Sequence, residues 1–170
     1  MAKRPGQDSK LLSPGTKAAD FTLHVTPDQT LALSDLAGKP VVLAFYPADW
    51  SPVCNDELAV FNELLLEFDR YDAQLLGISV DGVWCHNAFA DARNLRFTLL
   101  SDFEPKGEVA KTYGVYRDKE GVSERASFLI DPERTIVWNE VSPVGINPGA
   151  GGVLQALEEL AGTGAKETSQ

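Results

Sequence analysis

The chain has 170 residues, of which 44% are apolar, and its 15 basic and 25 acidic residues give a net charge of −10. This length supports one domain with a sizeable core, and the acidic balance excludes the electrostatic attraction that binding to nucleic acid or to a membrane surface requires. The longest apolar run, VVLAFY, is too short for a membrane span, and the first twelve residues lack the apolar stretch of a secretion signal, so we expect a cytoplasmic protein with reduced thiols.

The first half of the chain predicts strands and helices in alternation. After a polar tail over 1–12, DFTLHVTPDQTLAL predicts two short strands around the turn TPDQ, and SDLAG predicts one helical turn. Residues 40–47 predict a continuous apolar strand of the kind that is buried on both faces of a sheet. Residues 52–71 predict a helix with one apolar stripe, made by Leu58, Phe61, Leu65 and Phe68.

The second half continues this alternation. It predicts a buried strand over 73–81, a helix over 82–94, a short strand in LRFTLLSD and a short helix that ends at Gly114. RASFLIDPERTIVWNEV predicts two strands around the turn DPER, and VLQALEELA predicts a last helix before a tail over 162–170.

This order of elements predicts the fold. Helices on both faces of a mixed central β-sheet give an α/β three-layer sandwich, and the thioredoxin-like arrangement fits the order. We expect a single domain over 13–161. Such folds place their chemistry at the C-terminal ends of parallel strands, which is where the segment from Pro47 to Cys54 falls.

Cys54 lies where the apolar strand gives way to a helix. Ser51 is a favoured N-cap residue and Pro52 a favoured first helical residue, so Cys54 falls in the first turn. There the unpaired backbone N–H groups and the positive end of the helix dipole favour a thiolate over a thiol. The thiolate is the reactive form, so the position indicates a nucleophile; the plainer alternative is a small buried residue at the start of a helix.

Other kinds of site find little support in the sequence. Two cysteines without a CxxC pair, and two histidines far apart at His24 and His86, predict neither a metal site nor a cofactor. A thiol–disulfide exchange protein of the same fold would need CxxC, and the sequence offers CNDE. A redox-linked chaperone or another non-catalytic thioredoxin-fold protein stays open as an alternative.

The segment around Cys54 resembles a known family. Pro47, Ser51 and Cys54 spell the Pro-x-x-x-Thr/Ser-x-x-Cys signature of the peroxiredoxins, and AADFTL, VVLAFYP, GISVD, FTLLSD, AKTYGVY and RASFLID resemble peroxiredoxin segments in the right order. VDGVWCHNAFA and DFEPKG are most similar to the bacterioferritin-comigratory (PrxQ) and AhpE-like branches of the AhpC/TSA group. The resemblance implies a thioredoxin-like core with an N-terminal extension, and a thiol-specific peroxidase that reduces hydrogen peroxide and organic hydroperoxides.

The resemblance also implies a role for each matched residue. Cys54 would be the peroxidatic cysteine, which attacks peroxide and becomes a sulfenic acid. Pro47 would shield the thiolate, Ser51 would bond the thiolate and the peroxide, and Arg125 would hold a guanidinium beside the sulfur. The backbone N–H groups of Val53 and Cys54 would complete the peroxide site.

Three side chains have competing interpretations. Glu57 either supports the arginine or is an acid on the helix surface, and Trp50 is either a pocket wall or a half-exposed aromatic. Without the resemblance, the expected partner of Arg125 is a nearby acid at the surface, Glu124 or Asp131, because sequence alone cannot bring it to the helix start.

The sulfenic acid must then be reduced, and Cys85 is the candidate for that step. Some relatives resolve from a cysteine five positions after the peroxidatic one, but here that position is Ala59. The resemblance instead implies resolution from the helix after GISVD, which carries Cys85. A packed core cysteine is the alternative, because Cys85 shares a helical face with Ala88, Phe89 and Ala92. His86 beside it is expected on the helix surface.

The two routes imply different partners. A disulfide needs Cα atoms within ~7 Å, so the first turn that holds Cys54 would have to unwind. With Cys85 as the resolving residue the reductant would be a thioredoxin-type protein. In one-cysteine chemistry a small thiol or a glutaredoxin-like protein would reduce Cys54 directly. A homodimer is the assembly that the family suggests.

Overall fold

The computed structural model describes the backbone of residues 10–167 and the side chains as far as residue 163. Strands and helices follow one another much as the sequence predicts, with one additional two-stranded hairpin. In chain order the elements are β1 (Thr22–Thr26), β2 (Gln29–Ala32), a 3-10 turn (Leu33–Leu36), β3 (Val41–Phe45), α1 (Pro52–Glu63), α2 (Leu65–Asp69), β4 (Gln74–Ser79), α3 (Val83–Arg93), β5 (Thr98–Ser101), α4 (Glu108–Tyr113), β6 (Tyr116–Arg117), β7 (Val122–Ser123), β8 (Arg125–Ile130), β9 (Ile136–Ser142) and α5 (Gly151–Glu167).

Seven strands form one mixed sheet in the order β2-β1-β5-β4-β3-β8-β9. β3, β4 and β5 run parallel to one another, whereas β1, β8 and β9 pair antiparallel with their neighbours. All five residues of β3 are buried, as its unbroken apolar run predicts for a central strand. The predicted mixed sheet flanked by helices is confirmed.

The two faces of the sheet bury different helices because successive residues of a strand point to opposite sides. Phe45 joins the core beneath α4, where its ring packs against Tyr113 and Phe128 with centroids 5.6 and 5.8 Å away. Its neighbour Ala44 faces the other core, which is built mainly from α1, α2, α3 and α5 and contains Cys54. The sheet therefore forms the middle of three layers.

The predicted helix over 52–71 is interrupted. Leu64 has φ −101° and ψ 14°, so α1 ends before it and α2 begins after it. The predicted apolar stripe survives the interruption, because Leu58, Phe61 and Phe68 are all buried. The rings of Phe61 and Phe68 pack edge to face across the break.

The predicted tails lie partly outside the described residues, and the domain limits at 13 and 161 stay predictions. Leu12, inside the first predicted tail, is fixed at both ends: its N–H donates to the Tyr113 carbonyl and its own carbonyl accepts from Asn139. The last helix continues beyond its predicted end, as far as Glu167.

Among residues 10–167, no helix combines the length and the apolarity that a membrane span requires.

Candidate active site

Cys54 lies in the first turn of α1, directly after the loop that leaves β3. Ser51 is the N-cap residue, with extended backbone at φ −63° and ψ 134°, and Pro52 is the first helical residue, as predicted. Among the described residues, the Ser51 hydroxyl makes no capping hydrogen bond to the helix. The Cys54 side chain is fully buried in the first turn of α1, where the backbone N–H groups have no partners within the helix.

Arg125 reaches this sulfur from the neighbouring strand. β8 pairs antiparallel with β3, and Ala126 lies opposite Phe45, so Arg125 stands beside the C-terminal end of β3. Its Nη2 donates a hydrogen bond to Cys54 Sγ at 3.3 Å, and its side chain is only 2% exposed. Strand pairing thus brings together two residues that are far apart in the sequence.

The expected surface ion pair of Arg125 is wrong. Glu124 instead pairs with Arg117 at 3.1 Å, and Asp131 accepts the backbone N–H groups of Glu133 and Thr135. Glu124 and Asp131 flank β8, whereas Arg125 points into the core shared with α1.

Three further hydrogen bonds orient the Arg125 guanidinium. Nη1 donates to Glu57 Oε1 at 3.1 Å, while Nη2 and Nε donate to the Val144 carbonyl at 2.7 and 3.3 Å. Glu57 is buried, so its interpretation as a surface acid is wrong and it is the carboxylate partner of Arg125. Burial raises the pKa of Glu57 to about 7, against the lowering effect of Arg125 and with a smaller raising effect from Glu140.

The other predicted site residues surround the same helix start. Pro47, Ser51 and Val53 are each half-buried. Trp50 has φ 67°, a backbone region that few residues other than glycine adopt, and its side chain is 47% exposed. Its ring contacts Phe89 at 5.2 Å between centroids and lies 5.8 Å from the Arg93 guanidinium, so Trp50 packs against α3.

A buried polar network beside this loop is missing from the sequence predictions. His86 Nδ1 lies 2.7 Å from Asp49 Oδ2, the Tyr46 hydroxyl donates to Asp49 Oδ1 at 2.6 Å, and His86 Nε2 lies 3.0 Å from the Leu100 carbonyl. His86 is 1% exposed, so its expected position on the helix surface is wrong. Its spacing of three residues from Phe89 was the available signal, because that spacing puts both side chains on one helical face.

Cys85 lies near the start of α3 and is partly exposed, while both cysteines are free thiols. The predicted core face is wrong, because Ala88 and Ala92 are exposed and the buried residues of α3 are His86 and Phe89. Burial, followed by the negative charge of two nearby carboxylates, raises the pKa of Cys85 to about 11. In this fold Cys85 is therefore a protonated thiol at neutral pH.

The carboxylates beside Cys85 belong to Asp49 and Asp81. Their oxygens and the Cys85 sulfur all lie within 4.8 Å of one another, close enough for a metal ion. Both carboxylates already accept hydrogen bonds, however: Asp49 from the Tyr46 hydroxyl, and Asp81 from the Ser79 hydroxyl and the Asp49 backbone N–H. The cluster is thus explained as a set of structural acceptors that joins the loop before α1 to the loop before α3.

The arrangement at Cys54 suits the chemistry of a thiolate. A guanidinium and the first turn of a helix both stabilise negative charge on sulfur. The same donors would stabilise charge on an atom that the sulfur attacks, because they are fixed before any reaction begins. The site therefore has the electrostatics of a nucleophilic cysteine.

Comparison with known proteins agrees with this geometry. The sequence matches the AhpC/TSA family over residues 14–139. A Coxiella burnetii protein that carries the name peroxiredoxin bcp is 41% identical over 136 residues, which is 75% of this chain and 88% of that one. Alkyl hydroperoxide reductase E of Mycobacterium tuberculosis is 35% identical over 136 residues, or 79% of this chain and 89% of that one.

A solved structure supports the same assignment. The crystal structure of peroxidoxin BcpB from Mycobacterium tuberculosis superimposes with a TM-score of 0.78 at 34% identity, covering 86% of this chain and 97% of that one. Sequence and fold thus agree over most of both proteins. The chain belongs to the AhpC/TSA family of peroxiredoxins.

Proposed function

We propose that Cys54 carries the thiol peroxidase activity of this chain, with hydrogen peroxide and organic hydroperoxides as substrates. The observation that carries the proposal is the buried Arg125 guanidinium, which lies 3.3 Å from Cys54 Sγ at the start of α1. A cation in that position stabilises the thiolate and cannot itself be deprotonated at any physiological pH.

The chemical step is a displacement at oxygen. The Cys54 thiolate attacks one peroxide oxygen, an S–O bond forms and the O–O bond breaks. The sulfur is oxidised to a sulfenic acid by two electrons, and the departing oxygen takes a proton and leaves as water or an alcohol. Negative charge moves from sulfur to that oxygen, and the Arg125 donors that already face the sulfur stabilise the transition state.

The neighbouring residues complete the site in this proposal. The Ser51 hydroxyl, which is not used in capping α1, bonds the thiolate and the peroxide. The backbone N–H groups of Val53 and Cys54 belong to the first turn and have no partner within the helix, so they can bind a peroxide oxygen. Pro47 shields the sulfur from water. Trp50 supports the loop through its contact with α3 rather than as a wall over Cys54.

Recovery of the sulfenic acid is proposed to use Cys85 and a thioredoxin-type protein. The loop before α1 and the helix that carries Cys85 touch each other through Trp50 and Asp49, so a local opening of this region brings the two sulfurs toward each other. Direct reduction of Cys54 by a small thiol or a glutaredoxin-like protein is the second candidate. The raised pKa of Cys85 favours that candidate as long as the region stays folded.

Mass spectrometry after one equivalent of peroxide tests the proposal. The wild-type protein should form an intramolecular Cys54–Cys85 bridge, and Cys85→Ser should stop at the sulfenic acid. Thioredoxin-supported turnover should be lost in Cys85→Ser while the first reaction with peroxide persists. Unchanged turnover in Cys85→Ser would establish the one-cysteine route, and a Cys54→Ser variant that still consumes peroxide would overturn the role of Cys54.

The setting of the reaction is also a proposal. The cytoplasm is the proposed compartment, because its reducing conditions keep a cysteine thiol available for reaction with peroxide. We propose a homodimer as the working assembly, to be checked by light scattering of the reduced and the oxidised protein.

A further inference from the structure

The chemical environment of Cys85 differs from that of Cys54. Cys54 faces a cation, whereas the Cys85 sulfur lies within 4.8 Å of carboxylate oxygens of Asp49 and Asp81. Like charge nearby disfavours a thiolate, and the thiolate is the form that attacks a sulfenic acid. In the reduced fold, therefore, the candidate resolving cysteine is held in its unreactive form.

The two carboxylates belong to different loops. Asp81 follows β4 and lies in the loop that enters α3, close to Cys85 in sequence. Asp49 lies in the loop between β3 and α1, the loop that leads to Cys54. The Asp49 backbone N–H donates to Asp81 Oδ2 at 2.9 Å, while the titratable groups His86 and Tyr46 bond the Asp49 carboxylate.

A disulfide between Cys54 and Cys85 would disturb the loop that carries Asp49. Cys54 is fully buried in the first turn of α1, so we expect that turn to open before its sulfur bonds to Cys85. Asp49 lies in the loop that leads into this turn, so such an opening would draw the loop away from α3. The motion that exposes the Cys54 sulfur would then also remove one of the two carboxylates from Cys85.

We infer that Asp49 is a positioning residue for resolution: with Asp81 it holds Cys85 as a thiol in the closed, reduced enzyme and releases it when the Cys54 loop opens. The inference rests on the proposed role of Cys85 as the resolving cysteine. Once released, Cys85 loses its proton to water and its thiolate attacks the sulfur of the Cys54 sulfenic acid. An S–S bond forms, the S–O bond breaks, and the departing hydroxide takes a proton and leaves as water.

This arrangement has a functional consequence. A thiol that stays protonated in the closed form reacts slowly with peroxide and with other electrophiles, because its thiolate fraction is small. Cys85 is partly exposed, so its protection depends on the carboxylates as well as on burial. The nucleophile is then available mainly after Cys54 has reacted and its loop has opened.

The test is the pH profile of Cys85 alkylation by iodoacetamide in the reduced protein, read by peptide mass spectrometry. Loss of one adjacent charge lowers a thiol pKa by at least about one unit. A lower pKa increases the thiolate fraction of Cys85 at pH 7 about tenfold and reduces the nucleophilicity of each thiolate about threefold. We therefore expect Asp49→Asn to raise the alkylation rate of Cys85 at pH 7 about threefold or more and to move the midpoint of the profile to lower pH. Asp91→Asn, on the exposed face of α3, is the matched control and should leave the profile unchanged.

Two further measurements separate the possible failures. Asp81→Asn should shift the pH profile of Cys85 alkylation in the same direction. If Asp49→Asn does not fold, the Asp81→Asn profile tests whether the carboxylates keep Cys85 protonated. Unchanged Cys85 profiles in the folded variants would overturn this inference and leave resolution by Cys85 untouched. Absence of a Cys54–Cys85 bridge in the oxidised wild-type protein would instead overturn the proposed role of Cys85.

Discussion

The Arg125 guanidinium lies between the Glu57 carboxyl group and the Cys54 sulfur and donates hydrogen bonds to both. Its Nη1 donates to Glu57 and its Nη2 to Cys54, and all three side chains are buried. In such a site the cation contributes more than it would in water, because the surrounding dielectric is low. The Val144 carbonyl accepts from the same guanidinium and fixes its plane.

Substitution of Arg125 should therefore slow the oxidation of Cys54 by peroxide. We expect Arg125→Lys to lower the rate of Cys54 oxidation about 100-fold or more, since removal of a fixed donor at a developing charge costs roughly that factor and lysine cannot bond two partners in one plane. Stopped-flow tryptophan fluorescence with limiting peroxide measures this step. Arg117→Lys, which alters an ion pair away from Cys54, is the control, and an equal loss in both variants would contradict the assignment.

Glu57 makes the stability of the protein depend on pH in an unusual direction. Its pKa is about 7 in the folded chain against an ordinary value of 4.5, so the folded state holds a proton that the unfolded state has already released. Stability is then fully present below pH 4.5 and is lost as pH rises toward 7. The size of this loss is about 3 kcal/mol for the single group.

Glu57→Gln should remove this dependence. Urea unfolding of both proteins between pH 5 and pH 8 measures it, and the wild-type protein should lose about 2 to 3 kcal/mol relative to Glu57→Gln as pH rises through that interval. Glutamine keeps a hydrogen-bonding side chain beside Arg125 but cannot ionise. Parallel stability curves for the two proteins would show that Glu57 does not titrate in this range.

At the level of elements, the residues that begin α1 separate helix capping from the proposed catalytic role of the Ser51 hydroxyl. Pro52 and the backbone of Ser51 define the helix start, whereas the Ser51 hydroxyl makes no cap bond among the described residues. A normal N-cap side chain contributes about 1 kcal/mol to stability, so this one contributes less. That leaves the hydroxyl available for a substrate.

Ser51→Ala should consequently separate stability from activity. We expect its free energy of unfolding to fall by less than about 1 kcal/mol, and its rate of Cys54 oxidation to fall about 100-fold. Ser51→Thr keeps the hydroxyl and should retain the rate. Denaturant unfolding and single-turnover peroxide kinetics measure the two quantities, and a stable Ser51→Ala variant with full activity would remove Ser51 from the mechanism.

The elements that could be predicted are those whose signal is local. The unbroken apolar run of β3 and the helical spacing of Leu58 and Phe61 predict that these residues are buried. Pro52 predicts a helix start because its fixed backbone angle suits the first helical position. Arg125 is different, because only the pairing of β8 with β3 brings it to Cys54. Composition and spacing contain no such register, so that contact came from the family resemblance alone.

The hydrogen-bond network at Asp49 is a second feature that could not be predicted from the sequence. Tyr46 follows β3, His86 lies in α3 and Leu100 lies in β5, and the contact between His86 and Asp49 joins that helix to the loop before α1. Histidine is intermediate between buried and exposed residue types, and a buried histidine needs hydrogen-bond partners, so the burial of His86 could not be predicted before Asp49 and Leu100 were placed beside it. The sequence signal, the spacing to Phe89, indicates a face but not a partner.

At the scale of the whole molecule, the sheet separates the reacting layer from the other core. Cys54 and Phe89 lie in the core formed by α1, α2, α3 and α5, whereas Phe45, Tyr113 and Phe128 pack together on the opposite face. β3 contributes alternate residues to both cores and is buried along its whole length. A local opening around Cys54 can therefore occur while the far core stays packed.

Hydrogen exchange should show this separation directly. After one equivalent of peroxide, we expect faster amide exchange in residues 47–56, because the proposed Cys54–Cys85 bridge opens the first turn of α1, and also in the first turn of α3, which carries Cys85. Exchange in α4 should stay unchanged, since the core around Tyr113 takes no part in the opening. Cys85→Ser, which cannot form the bridge, should keep the exchange of its reduced form in both helix starts. Uniform acceleration across both cores, or identical exchange in the oxidised wild-type and Cys85→Ser proteins, would contradict an opening confined to one layer.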